Sequence, residues 1–287
     1  MERPVRSGEL DEEIDLSRPE AAARYDELPL WSAPFGQLIL ERVPLRQRQR
    51  MLDIGAGTGF LTVELAQRCR SGTVVAVDPW TAAMAVLGTK CDYLGLTNVE
   101  LGIRDAADLG LPDDSVDVAV SNLGINNFDD PAAVLAECRR VLRPGGALLL
   151  TSNLVGHMAE FYADFEAVLV DLGHRSLLPA LHREIGHRST VATTIDRLQH
   201  AGFEVTEVAT TSFRMRYADG TSLLRHHFIR LGFLPSWRDI VDAPLRPTVF
   251  AELERRLNDR AGRDGSLDLT IPAACFTAAP RTGRWPR

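Results

Sequence analysis

Paired cysteines, long apolar runs and blocks of basic charge are what this 287-residue chain lacks. Its four cysteines, Cys69, Cys91, Cys138 and Cys275, lie far apart, and no two form a Cys-x-x-Cys pair. That excludes a zinc ribbon and offers no disulfide framework, so small buried thiols in a reducing compartment are the expectation. No apolar run approaches the ~20 residues that span a bilayer. The start, Met1-Glu2-Arg3-Pro4 and then Asp11-Glu12-Glu13, has no apolar signal core. A cytoplasmic protein without a membrane partner is expected. Arginines are scattered, and the formal charge of −7 is spread along the chain, which argues against nucleic acid as a partner. The histidines make no metal set either. His182 and His187 stand apart and His226-His227 are adjacent, so neither pair has the i,i+4 spacing of helical ligands. No metal is expected.

What is present is ordinary globular composition, 45% hydrophobic and 25% charged, with material for a sizeable core. The length suits one α/β core with an inserted or appended cap. Residues 1–19 are polar and without period, and read as loose. From Glu20 to Val43 the pattern is helical, cut into short pieces by Pro29, Pro34 and Pro44. Short apolar runs then alternate with amphipathic ones. Strands are expected at Met51–Ile54, Thr73–Val77, Val99–Ile103, Val116–Ser121 and, after a sharp Pro144-Gly145-Gly146 turn, Ala147–Thr151. Helices are expected at Phe60–Cys69, Thr81–Leu94 and Pro131–Leu142. Such alternation implies right-handed βαβ units on a parallel sheet. The second half is less regular: helices at His157–Leu172, Thr190–His200, Leu223–Leu231 and Val249–Leu257, with strands at Phe203–Ala209 and Ser266–Thr277.

Chemistry concentrates where the first strand meets Gly55-Ala56-Gly57-Thr58-Gly59 and a helix. Glycines there let a ligand approach the backbone, and the helix start points unpaired amides toward it. Asp78 ends the next strand, 23 residues after Gly55, where a carboxylate can accept both ribose hydroxyls. A dinucleotide fingerprint wants a third small residue three places after the second glycine, and that place holds Phe60. No Gly-Lys-Ser/Thr follows, so a P-loop is also excluded. The loop suits a nucleoside ligand without phosphates.

Leu52 to Gly59, Val77-Asp78, Arg104-Asp105-Ala106, Asp114-Ser115-Val116-Asp117 and Arg140-Val141-Leu142-Arg143-Pro144-Gly145-Gly146 together resemble the successive motifs of class I S-adenosylmethionine-dependent methyltransferases. They are most similar to the ubiquinone/menaquinone-biosynthesis type, over roughly Tyr25 to Ala209. The resemblance implies a Rossmann-like α/β fold: a seven-stranded, mostly parallel sheet with an antiparallel last strand, here Ser266–Thr277, and helices on both faces. It implies S-adenosyl-L-methionine as cofactor and S-adenosyl-L-homocysteine as product. Gly55, Ala56 and Gly57 would touch the methionine part through their backbone, with Asp53 ordering the loop. Asp78 would bind the ribose, Pro79 or Trp80 would cover the adenine, and Asp105 would accept from its amino group beside the Ala106 amide. Asn122 and Leu123 would lie near the sulfonium, and Tyr25 resembles a tyrosine of an N-terminal helix that closes over the cofactor. The ordinary alternatives are a solvated strand end for Asp78, a helix cap for Asp105, and plain packing for Trp80 and Tyr25.

Residues 1–45 are thus expected to close over the cofactor, 46–212 and 264–280 to form the core, and 154–188 and 213–263 to insert a mainly helical cap. Methyl transfer needs an acceptor held in line in a pocket that excludes water. Asn126 and Asn127 could orient a polar acceptor, a turn being the alternative, and His157 is the candidate base. Phe161 and Phe228 are expected to wall an apolar acceptor pocket, cap core being the alternative. Arg183, Arg188, Arg214 and Arg225 could pair with an acceptor carboxylate or lie on the surface. The expected activity is methylation of a small or medium, partly apolar metabolite, on oxygen in preference to carbon or nitrogen. The alternatives are an enzyme that uses the cofactor structurally for cyclisation or rearrangement, and a non-catalytic binding protein. A small-molecule acceptor is the expected partner, with a homodimer allowed.

Overall fold

The computed structural model describes residues 15–26 and 29–281; residues 1–14 of the stretch read as loose lie outside them. Seven strands, β1 (Arg50–Ile54), β2 (Thr73–Val77), β3 (Val99–Gly102), β4 (Val116–Asn122), β5 (Leu142–Asn153), β6 (Phe203–Tyr217) and β7 (Leu267–Pro280), form one sheet in the order β3-β2-β1-β4-β5-β7-β6. The pairs from β3 to β5 are parallel, and β7 runs antiparallel to β5, with Leu148 opposite Ala278 and Asn153 opposite Ala273. This is the Rossmann-like sheet with one reversed strand that the motifs imply. In β1, β2 and β4 consecutive residues are buried instead of alternate ones, which requires cover on both faces. Strand order reverses between β1 and β4, so the connections leaving their carboxyl ends diverge and open a crevice. The glycine loop leaves β1 at that point.

The chain divides into two compact units. The sheet unit takes 15–153, 189–211 and 273–281, and the second takes 154–188 and 212–272. Within the sheet unit, helices α1 (Pro19–Asp26) and α2 (Pro29–Leu40) precede β1, and α3 (Phe60–Arg68), α4 (Thr81–Leu94) and α5 (Pro131–Val141) connect the strands. Ile39, Leu61, Leu65, Met84 and Leu87 pack with Met51, Val74 and Val118 of the sheet in one core. Pro131 opens α5, and Asp130 caps it by accepting from the Ala132 and Ala133 amides, both at 3.0 Å. Thr190 and Thr193 close a capping box at the start of α6 (Val191–His200).

Several boundaries differ from the sequence expectation, each for a local reason. Pro34 does not end a helix but sits inside α2. The carbonyl it leaves without a donor belongs to Leu30, which is 84% exposed and open to water, while Phe35 and Ile39 are fully buried and hold the helix down. Pro144-Gly145-Gly146 is taken into β5 as an irregularity. Val116 pairs with Leu142 and Val118 with Ala147, so the extra residues bulge between them. β6 runs on to Tyr217 instead of stopping at Ala209.

In the second unit, α7 (Ala159–Asp171), α8 (Leu178–Gly186), α9 (Gly220–Arg225), α10 (His227–Gly232), α11 (Leu234–Asp239) and α12 (Arg246–Asp264) carry the fold. The helix expected over Leu223–Leu231 is two, broken at His226, whose ψ of 127° is extended. Phe161, Phe165, Trp237 and Phe250 are its largest buried side chains. Phe161 stacks on Trp237 with ring centroids 3.9 Å apart, and Trp237 Nε1 donates to Tyr162 Oη at 3.1 Å. Asp164, buried on α7, receives Arg256 at 3.2 Å and Arg260 at 2.7 Å from α12, so this buried acid is doubly paired.

The tightest steric demand in the sheet unit falls on Gly59, at φ +90°, where a Cβ would stand 2.1 Å from Leu87 Cδ1. Gly57, at φ +54°, would place its Cβ in open space. Gly59→Ala should therefore lower stability by roughly 3 kcal/mol, strain and overpacking together, against about 1 kcal/mol for Gly57→Ala. Urea unfolding of both variants checks this; equal losses would remove the Leu87 contact as the cause.

Candidate active site

The crevice between β1 and β4 is built by hydrogen bonds that close the glycine loop onto the end of β2. The Gly55 and Ala56 amides both donate to the Val77 carbonyl, at 2.9 and 3.2 Å, and the Gly59 amide turns back to Ala56 O at 2.9 Å. Gly57 N donates to Asp78 Oδ2 at 2.8 Å, and Trp80 N donates to Asp78 Oδ1 at 2.8 Å. Asp78 thus clamps the loop and the start of α4 with one oxygen each. Each oxygen retains a second lone pair. The amides of Gly55, Ala56 and Gly57 are turned inward, so the loop offers a ligand its carbonyls and Cα faces. Burial raises the Asp78 pKa, opposed by the two amides. Behind the loop Asp53 is 1% exposed and accepts from Thr62 Oγ1 at 2.6 Å. Burial, with Asp78 nearby, lifts its carboxyl to about 7.

The N-terminal segment is bound to this loop. Tyr25 on α1 meets Trp80 edge-on with centroids 5.3 Å apart, and Trp80 Nε1 donates to Leu16 O at 2.6 Å. Burial and the Asp78 charge raise the Tyr25 phenol. Lys90 on α4 joins the two parts: its ammonium pairs with Asp26 and donates to the Thr58 carbonyl at 2.9 Å. Lys90 was not among the expected site residues, although it is the chain's single lysine against 31 arginines.

The β4 side is equally engaged. Asn122 Nδ2 donates to Ser32 O at 3.1 Å, while its Oδ1 accepts from Thr151 Oγ1 at 2.8 Å. Thr151 Oγ1 also accepts from Leu123 N at 3.1 Å, which fixes Leu123 at φ +67°. A bulky residue held there stores strain at the strand end. Ser121 Oγ donates to Ile54 O at 2.9 Å, and β4 comes so close that a Cβ on Gly124 would stand 2.4 Å from Ser121 Oγ and 3.2 Å from Ile54 O. Asn126 donates to Asn153 Oδ1 at 2.8 Å and accepts from Ser152 Oγ at 2.6 Å. Asn127 is exposed, its amide closing the turn on Gly124 O at 2.9 Å. Asp105 is exposed and accepts from Ala107 N at 2.7 Å, an Asx turn beside buried Ala106. Pro79 is exposed.

Residues 52–150 match the methyltransferase domain family. The chain carries a methyltransferase domain of the S-adenosylmethionine-dependent class. Among relatives, the malonyl-[acyl-carrier protein] O-methyltransferase of Halorhodospira halophila is 29% identical over 207 residues, 71% of this chain and 66% of its own length. The nocamycin O-methyltransferase of Saccharothrix syringae is 28% identical over 263 residues, 86% of this chain and 91% of its own. The demethylmenaquinone methyltransferase of Thermus thermophilus is 34% identical over 140 residues, 46% of this chain and 61% of its own. The chain thus spans less than two thirds of the first and the third. The family's cofactor is S-adenosylmethionine. No described helix is long and apolar enough to cross a membrane.

The residues expected to serve the acceptor lie in both units. Asn126 and Asn127 belong to the sheet unit; His157, Phe161 and Phe228 belong to the second. Phe161 is 0% exposed and stacked on Trp237, so it is core and not a pocket wall. Phe228 is buried against Phe233, centroids 5.5 Å apart. His157 is 2% exposed, and burial, then Arg188 and His187, push its imidazole down to about 3.

The raised Asp53 carboxyl has a measurable consequence. With a folded pKa near 7 against 3.8, its contribution to stability is full below about pH 4 and is lost as pH rises through about 7. Asp53→Asn removes that dependence while keeping an acceptor for Thr62. The stability of the variant relative to wild type should therefore rise with pH across this window, by up to about 1.4 kcal/mol per unit. Urea melts at several pH values test it; a pH-independent difference would place the Asp53 pKa outside the window.

Proposed function

We propose that this chain transfers the methyl group of S-adenosylmethionine to an oxygen atom of a small, partly apolar metabolite. The observation that carries the reading is the Asp78 carboxylate, whose two oxygens each hold one loop amide, Gly57 N and Trp80 N, at 2.8 Å. Each keeps capacity for one more donor, which is what a ribose diol supplies. The Cα of Gly57 faces open space, so the methionine part would meet carbonyls and hydrogens there and no side chain. Asp105 would use the oxygen not held by Ala107 for the adenine amino group. Trp80, steadied by Tyr25 and by the Leu16 carbonyl, would cover the ring.

When bound, S-adenosylmethionine supplies an activated methyl group, so the protein's part is to orient the acceptor and exclude water. Asn122 is held from both ends of its amide, by Ser32 and Thr151, which makes it a rigid edge and not a mobile donor. Lys90 and Asp26 would hold α1 closed over the loop. His157, whose imidazole is pushed down to about 3, is neutral at physiological pH and a weak proton acceptor. An acidic acceptor oxygen, ionised or nearly so by itself, therefore suits the chain better than a simple alcohol. Two relatives carry O-methyltransferase in their names. The quinone-type resemblance makes carbon the competing acceptor.

Calorimetry with S-adenosylhomocysteine should give saturable binding to the wild type. Asp78→Ala should weaken it by ~1–3 kcal/mol, the scale of charge-assisted hydrogen bonds. No binding of S-adenosylhomocysteine, with NAD bound instead, would overturn the cofactor reading. For the reaction, methyl-labelled S-adenosylmethionine offered with a panel of acidic hydroxy compounds and carboxylic acids should place label in ester or ether products. Label found on carbon would refute O-transfer, and consumption of acceptor without S-adenosylhomocysteine would refute methyl transfer.

A further inference from the structure

A groove of about 1180 Å³ runs along the sheet unit between α5 and α6, and no residue of the glycine loop lines it. Ala132, Ala133 and Ala136 of α5 and Ala201 after α6 give it small apolar walls. Ala132 and Ala136, one turn apart on α5, are exposed. The described chain stops at one end of this groove. Beyond β7, the Arg281 amide donates to Gly202 O at 3.0 Å, and the Arg281 carbonyl accepts from Arg139 at 3.2 Å. Arg139 lines the groove, as does Ala201 beside Gly202, so the residues that follow Arg281 set out from its rim. Arg139 Nε is buried without a partner among the described residues. A carbonyl of the continuing chain would meet that need.

The groove is acidic. Asp113, Asp114, Asp130, Glu137 and Asp196 line it against three arginines. Arg140 takes Asp113 at 2.7 Å and Glu137 at 2.6 Å, and Asp130 gives one oxygen to the α5 cap. Asp114 and Asp196 form no ion pair among the described residues. Residues 282–287, which lie outside the described residues, read Thr-Gly-Arg-Trp-Pro-Arg. That is two cations around one large aromatic, matching a groove with two more acids than arginines and a floor of alanines. The residue before a proline prefers extended backbone, and here that residue is Trp285. Six extended residues reach about 20 Å at most. From Arg139 back to Ala132 the helix rises about 10 Å, so Trp285 comes within reach of Ala132 and Ala136. A tethered segment also acts at millimolar effective concentration, an advantage over any free peptide of the same chemistry.

We propose that residues 282–287 fold back along α5 and dock in this groove, with Trp285 over the alanines and Arg284 and Arg287 facing Asp114 and Asp196. The indole supplies most of the hold, because exposed ion pairs contribute little each; the charges set the direction. The segment then acts as a clasp joining α5 to α6 within the sheet unit. The inference is independent of the methyl-transfer reading.

The test is the rate at which dilute trypsin cuts the full chain between Arg284 and Trp285, read by intact mass spectrometry against a synthetic peptide of residues 278–287. Docking should slow the cut about tenfold or more relative to the peptide, since a protease acts on the released segment. Ala136→Arg puts a long cation in the groove and should return the rate to within about twofold of the peptide. Trp285→Ala should do the same against a peptide carrying that change. Should Ala136→Arg unfold by circular dichroism, Asp196→Arg on the opposite wall replaces it, with the same rise expected. Protection should not change when the protein is diluted a hundredfold. Cutting of the wild type at the peptide's rate would overturn the proposal, as would protection that survives the groove variant used. Protection lost on dilution would also overturn it, because the groove would then hold the tail of a second copy.

Discussion

The Asp78 carboxylate takes one amide on each oxygen, and the geometry of the crevice follows from that choice. Gly57 lies in the loop after β1 and Trp80 at the start of α4, so a single side chain ties the loop to the start of α4, as Lys90 does further along the helix through the Thr58 carbonyl. The Val77 carbonyl adds the Gly55 and Ala56 amides from the same direction. With its first three amides turned inward, the loop cannot bind anions as phosphate loops do, by pointing a nest of N–H groups outward. It is already full of its own hydrogen bonds. What it presents is a carboxylate with spare lone pairs, a surface that prefers hydroxyl donors. The preference for a nucleoside over a polyphosphate lies in the loop's internal bonding as much as in its glycine pattern.

A second layer of support comes from residues far away in sequence. Lys90 reaches Asp26 and Thr58, separated from it by 64 and 32 positions. Asn122 reaches Ser32 across 90. Both connect the helices that precede β1 to the cleft, so the N-terminal segment is part of the cleft's framework. Leu123, held at positive φ by the Thr151 hydroxyl, shows the same economy on the other side, where one threonine orients both Asn122 and the next amide.

What could be read from the sequence was what is local. The strands from β1 to β5, the glycine loop, Asp78 and the helix opened by Pro131 each declare themselves within a few residues, because alternation, turns and helix starts are short-range effects. Pro34 misled because propensity sees the lost donor and not the buried Phe35 and Ile39 that outweigh it. The Pro144-Gly145-Gly146 bulge depends on pairing with β4, which no local pattern contains. Phe161 shows the remaining ambiguity: an aromatic residue on a helix reads alike whether it walls a pocket or fills a core, and only the stack on Trp237 decides. Lys90 carried a signal that could have been used, its isolation among arginines. In so arginine-rich a chain, a compact ammonium is a departure that fits a site asking for one carboxylate and one carbonyl at once.

That isolation has a chemical consequence. A chain with a single lysine offers reagents aimed at lysine side chains one target, and here that amine, 29% exposed, is held between the acid of the N-terminal helix and the carbonyl of the loop. Acylation or reductive methylation at lysine therefore reports on that one junction, readable on the unaltered protein without any engineered probe.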